Sequence, residues 1–384
     1  MLDKGLDVRV FYAVENHYWE DQNLLAGLRQ SGHDVVVHRP GPFPTALSPD
    51  WTDQDRLKAS ERLVAAVREA HAQQPIQLLF AYVLNQLVYP EAIREIADLG
   101  ITTMNYWCNG AHQFFLVDEI SPAFDYCIVT ERAALPAYQE VGARTIYLQL
   151  AANPEIYKPY DLPREYDVTF VGQRYADRPE YLDYLLRHGI HARVWGPGWT
   201  PDRSFGEQSL GTGVTPRYLF RHPRASALKL TGHARRRLQE RIALPPSAER
   251  RIACAAGPSL PYEDLIKMYS RSKISLGFST TGYARYRDRE KIRQIHLRDF
   301  EAPMSGAFYF VEHQDELEEF YELGREIITY GSREELLEKV KYYLAHASEA
   351  DHIRQAGYER ALRDHTWRRR FDQLFETVWP RSLA

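Results

Sequence analysis

The sequence predicts an α/β protein built from two doubly wound parallel-sheet domains, and three observations carry that prediction. Short apolar runs alternate with longer helical patterns, which is the signature of βαβ units. The alternation is interrupted near residue 151 by Asn153-Pro154, Pro159 and Pro163, and then resumes. The length of 384 residues exceeds the roughly 100–200 residues of one domain.

In the first series the strand-length runs are Val8–Val14, Asp34–His38, Leu78–Val83, Ile101–Trp107, Tyr126–Thr130 and Thr145–Leu150. Helical patterns at Asp21–Gln30, Asp55–Ala72, Pro90–Asp98 and Glu131–Glu140 separate them. Gly32 and Gly142 stand where helix C-caps precede the next strand. In the second series Val168–Gly172, Ala192–Gly196, Ile274–Ser279, Ala307–Val311 and Glu326–Tyr330 are the strands, with a helix over Asp177–His188. The expected division is a domain over residues 1–158, a second over 159–364, and a final helix (365–384) that crosses back to brace the first. No repeat at a solenoid period is visible.

Composition narrows the function. Forty-eight Lys and Arg against 52 Asp and Glu give a net charge of −4, which argues against a generally basic nucleic-acid binder. The basic residues are nevertheless uneven. Arg217–Arg251 holds ten Lys/Arg and two acids, a local +8 that leaves −12 for the rest. A solvated insertion and a contact with a membrane surface or anionic acceptor both fit it. Cys108, Cys127 and Cys254 are isolated, so neither a disulfide framework nor a paired-cysteine zinc site is expected, and the compartment reads as reducing and cytoplasmic. No apolar run reaches the roughly 18 residues of a membrane helix, and Val8–Val14 reads as a strand rather than a signal peptide.

Doubly wound domains bind ligands beyond the C-terminal ends of their strands. Five clusters lie there. Glu15-Asn16-His17-Tyr18 follows the first strand, where His17 is a candidate base beside the reading as a polar loop. His112, with Asn105, Cys108, Asn109 and Gly110, follows Ile101–Trp107 and is a second candidate base or a structural histidine. Gly172-Gln173-Arg174-Tyr175-Ala176-Asp177-Arg178 joins a glycine that permits close approach to a helix start and two guanidinium forks suited to phosphate. Surface salt bridging is the alternative for Arg174 and Arg178. Arg298-Asp299-Phe300-Glu301, leading to Gly306 and Ala307–Val311, places a carboxylate where it can accept hydrogen bonds from vicinal hydroxyls, unless Arg298 and Glu301 merely pair. Ser259–Leu265, with Leu260 and Tyr262, and Ser279-Thr280 after Ile274–Ser279, offer backbone groups and an apolar wall for a flat base.

The stretches "FVGQRYADR", "LPYEDLIKMYSRSKISLGFS", "LRDFEAPMSGAFYFVE" and "IITYGSREELLEKVKYYL", in that order, resemble the C-terminal domain of group 1 glycosyltransferases. They are most similar to the branch named for the spore maturation protein CgeB. Val129–Pro159 resembles the end of that branch's first domain and its linker, and "HTWRRRF" its ending; the likeness covers about two-thirds of the chain. It implies a GT-B fold with a nucleotide sugar, UDP-linked by preference, held mainly by the second domain, and no bound cofactor. By motif position it implies that Glu301 contacts ribose, that Arg178 and Arg174 contact phosphate, and that the segment around Leu260 holds the base. It further implies transfer, with retention at the anomeric carbon, to a carbohydrate, protein or small-molecule hydroxyl. Two positions depart from the pattern. Arg293 stands where many group 1 enzymes carry a glutamate against the donor sugar, although the CgeB-like branch commonly lacks it too. Cys108-Asn109-Gly110 replaces an Asp-containing stretch.

Asp53-Gln54-Asp55 has the letters of a metal-binding Asp-x-Asp, but it follows Pro49 in a polar helix start, where N-capping accounts for it. No metal site is expected, since arginines can carry the diphosphate charge. The competing function is a non-catalytic module of the same fold that binds a polyanion, a membrane surface or a protein. A dinucleotide-dependent oxidoreductase lacks the required Gly-x-Gly-x-x-Gly after any strand.

Overall fold

A computed structural model describes residues 8–16, 19–41, 51–200, 244–285 and 290–379. The chain separates into two compact units: residues 1–153 with 366–384, and residues 154–365.

Unit 1 is built on a six-stranded parallel sheet in the order β2-β1-β3-β4-β5-β6. Its strands are β1 (Arg9–Ala13), β2 (Asp34–His38), β3 (Leu78–Ala81), β4 (Thr102–Trp107), β5 (Tyr126–Val129) and β6 (Thr145–Tyr147). The near-continuous apolar runs of β1, β3 and β5 are explained by burial on both faces. Helices α1 (Ala26–Gln30, preceded by a π-helical turn over Asp21–Leu25), α2 (Asp53–Gln73), α3 (Pro90–Ala97), α4 (Gly110–Gln113) and α5 (Leu135–Glu140) make the crossovers. At the start of α2, Thr52 accepts from the Asp55 amide and the Asp55 side chain accepts from the Thr52 amide. This capping box occupies Asp55 of the Asp-x-Asp sequence.

Unit 2 carries a second six-stranded parallel sheet, in the order β14-β13-β10-β7-β8-β9. Its strands are β7 (Tyr166–Val171), β8 (Ala192–Trp195), β9 (Ala256–Gly257), β10 (Ser272–Gly277), β13 (Tyr309–Glu312) and β14 (Ile328–Tyr330). Around it lie α6 (Arg178–Arg187), α7 (Pro246–Ala255), α8 (Tyr262–Ser270), α9 (Arg298–Met304), α10 (Arg333–Ala345) and α11 (Ala347–Asp364). Val168, Phe170, Ile274, Leu276, Phe308 and Phe310 form the centre of its core against α6, α10 and α11. An antiparallel pair, β11 (Thr280–Arg285) and β12 (Glu290–Arg293), stands apart from the sheet.

The last helix, α12 (Trp367–Val378), belongs to unit 1. Trp367 stacks on Trp19 with centroids 5.7 Å apart, and Phe371 meets Phe80 edge-on at 5.7 Å. The approach is so close that a Cβ on Gly27 would lie 2.6 Å from that of Trp367. Among the described residues no helix is long and apolar enough to cross a membrane.

Both sheets contain a point where the strand order reverses. In unit 2 the chain runs from β7 outward to β8 and β9, then returns to the other side of β7 as β10. Adjacent crossovers leave on opposite faces there, which opens a crevice beyond the strand ends.

Candidate functional site

The loop after β7 enters that crevice at Gly172. Its backbone is crowded: a Cβ here would lie 2.7 Å from Phe170 and 2.8 Å from an Arg298 guanidinium nitrogen. The Gly172 carbonyl accepts from Trp199 Nε1 at 2.6 Å, and the Gly196 backbone packs directly against it. Four residues on, Ala176 adopts φ 51°, the described non-glycine residue in the left-handed region. That turn costs about 1–2 kcal/mol for an L-residue and directs Asp177 and Arg178 into the first turn of α6.

Arg178 is 2% exposed. One of its terminal nitrogens donates to the Gln173 carbonyl at 2.9 Å and the other to the Tyr175 hydroxyl. Arg298, at the start of α9, lies beside it. Both guanidinium carbons sit over the Phe170 ring, 5.3 and 5.2 Å from its centroid. Among the described residues neither makes an ion pair, and the Nε of each is buried without a hydrogen-bond partner. Burial and the Arg298 charge pull the Arg178 pKa down, although guanidinium remains charged at any ordinary pH. The carboxylates of Asp177, Asp299 and Glu301 act on these two groups through space but form no ion pair with them, so an anion joining both guanidinium groups would add the direct contacts they lack among the described residues.

Glu301, one turn further along α9, does not pair with Arg298. Its Oε1 accepts from the Tyr157 hydroxyl at 2.5 Å, and Tyr157 in turn shares a hydrogen bond with the Tyr262 hydroxyl. Burial pushes the Glu301 carboxyl up to about 7, offset in part by the Tyr157 bond and the Arg298 charge. Burial likewise pushes Asp299 up to about 6, against an amide donated by His296 and a hydroxyl donated by Tyr309.

A second charged group borders the site. Lys291 on β12 bridges Asp177 Oδ2 at 2.7 Å and Glu312 Oε1 at 2.5 Å. The other Glu312 oxygen accepts from the Thr280 amide and hydroxyl at 2.9 and 2.7 Å. Despite its burial, Glu312 is thereby held below the usual carboxylate range. Arg293 is partly exposed, its Nε 3.6 Å from Glu312.

The structure therefore brings Gly172, Arg178, Arg298, Glu301 and Tyr262 to one strand-end region of unit 2. It gives other work to several expected residues. Arg174 pairs with Glu249 at 2.6 Å, the salt-bridged alternative. Ser279 and Thr280 are fully buried, and their hydroxyls donate to the Glu312 carbonyl and carboxylate, so these side chains brace the cluster. Leu260 packs on the apolar group of Val171, Trp195 and Met268. His17, the side chain of His112 and residues 217–243 of the basic segment lie outside what is described. Sequence reasoning missed Tyr157, Lys291 and Glu312, and gave Asp177 no role of its own. A carboxylate ending β13 was a visible signal, but its pairing with Lys291 needs the fold.

The family described as Glycosyl transferase-like matches residues 178–376. No curated protein matches the sequence. Among solved structures, sucrose-phosphate synthase from Thermosynechococcus elongatus is 13% identical, with 97% of this chain and 99% of that chain covered, at a TM-score of 0.56. Alr3699/HepE from Anabaena, solved in complex with UDP and glucose, is 12% identical over 96% and 98% of the two chains, at 0.54. A glycosyltransferase from Rickettsia africae is 10% identical over 98% and 100%, at 0.58. At such identities the likeness shows the fold, the two Rossmann-like domains of GT-B proteins.

Proposed function

Since this chain belongs to the glycosyl transferase-like family, we propose that it moves a sugar from a nucleoside diphosphate donor to an acceptor hydroxyl, with the donor nucleotide held on unit 2. The enclosed pair Arg178 and Arg298, beside Gly172 at the reversal of strand order, carries this reading. A diphosphate offers both groups the direct contacts that no carboxylate makes with them among the described residues, and planar guanidinium forks match its oxygens. Glu301 then accepts from the ribose hydroxyls, and the segment from Leu260 to Tyr262 borders the base.

Catalysis follows from where charge develops. As the glycosidic bond to the donor phosphate breaks, negative charge grows on the leaving diphosphate, and fixed guanidinium groups stabilise it without reorganisation. The reading is of a metal-independent transfer, because those two cations stand where the charge appears. Retention and membership of the CgeB-like branch rest on the motif resemblance. A uridine diphosphate sugar is the favoured donor, supported by the UDP and UDP-glucose complexes of Alr3699/HepE. On unit 1, His17 and His112 are the residues for acceptor activation.

Titration calorimetry against UDP, GDP, dTDP, CDP and ADP in metal-free buffer tests the donor site. Saturable binding by one of them, at least tenfold weaker in Arg298→Met, is expected. No binding at millimolar concentration rejects the donor site and promotes the non-catalytic module.

A further inference from the structure

Tyr157 is one of the most deeply buried aromatic residues of the chain, at 1% exposure. It lies in the segment that opens unit 2, ahead of any strand of that unit. A phenol buried this deeply needs a partner for its hydroxyl. This one donates to a carboxylate, Glu301 Oε1, and its oxygen also meets the Tyr262 hydroxyl at the start of α8. The two rings are held edge to face, centroids 6.0 Å apart and planes at 72°. Tyr157 bonds Oε1 alone, and the other Glu301 oxygen is not among the buried atoms left without a partner.

We infer that Tyr157 is a positioning residue for ribose recognition: it holds one oxygen of Glu301 so that the other is presented, ionised, to the ribose hydroxyls of the donor. This rests on the donor-site reading above. A glutamate side chain has three rotatable bonds, and a fixed carboxylate loses less entropy on binding than a free one. Burial is the largest influence and opposes ionisation, as does the Asp299 charge on the same helix; the Tyr157 hydroxyl and the Arg298 charge favour it. Tyr157 is the one that also fixes direction, because it bonds a single oxygen at 2.5 Å.

The test compares the affinity for UDP with that for 2′,3′-dideoxy-UDP, so that only the value of the ribose hydroxyls is read. In the full-length wild type, the ratio of the two dissociation constants is expected to be about tenfold or more, as for hydrogen bonds to a charged group. In Tyr157→Phe it should fall to about threefold or less, with a cooperative thermal transition preserved. Added to Glu301→Gln, the same change should alter the ratio no further, since Tyr157 acts through that carboxylate. A Tyr157→Phe protein with the wild-type ratio overturns the inference, as does an equal loss of the ratio with Glu301 already replaced. A wild type that binds UDP without any ribose preference, or does not bind it, overturns the donor-site reading itself.

Discussion

Glu301→Gln separates binding from folding, and the two effects have opposite signs. The carboxyl ionises near 4.5 in an unfolded chain and is pushed up to about 7 in the folded protein, chiefly by burial. Between those values the folded state binds more protons than the unfolded one. Stability therefore falls as pH rises through this window, and the full cost is present above pH 7. The interval corresponds to about 3 kcal/mol. Because the side chain keeps some contact with solvent, screening reduces this to about 1–3 kcal/mol. Glutamine has the same shape, can still accept from Tyr157, and carries no charge. We expect Glu301→Gln to be more stable than wild type by that amount at pH 8 and equal to it at pH 4.5, in urea unfolding followed at each pH. At pH 8 the variant should also lose about tenfold or more in nucleoside diphosphate affinity, since a charged hydrogen-bond acceptor is gone. Parallel stability profiles for the two proteins from pH 4.5 to 8 would refute the account of an enclosed, costly carboxylate.

Lys291→Met should destabilise unit 2 by about 3–5 kcal/mol at pH 8, because Asp177 and Glu312 lose their shared counter-charge; chemical denaturation reads it, and a loss below 1 kcal/mol contradicts the bridge. Arg298→Met should weaken UDP at least tenfold yet leave uridine affinity within about twofold, which calorimetry with both ligands checks. Gly27→Ala should cost about 1–3 kcal/mol, since the new methyl meets the Trp367 Cβ at 2.6 Å; a melting temperature equal to wild type would mean that α12 can shift away.

The alternation of apolar runs and helical stretches was enough to read two parallel-sheet domains, because strands covered on both faces must be apolar throughout and crossovers need helices. The strand-end place of Gly172, Arg178, Arg298 and Glu301 was legible for a related reason: residues that follow parallel strands directly lie at one edge of the sheet, so sequence position nearly gives place. Partnership was not legible. Nothing local distinguishes Arg174, which pairs with Glu249, from Arg178, whose guanidinium stays beside that of Arg298. That the hydroxyls of Ser279 and Thr280 serve Glu312 shows only once β13 lies beside β10. Tyr157 and Glu301 are 144 positions apart, and Asp177, Lys291 and Glu312 come from three separate elements. Periodicity reports which face of an element is buried. Which charge meets which, and which is left for a ligand, depends on distances that exist only once the sheet order is set.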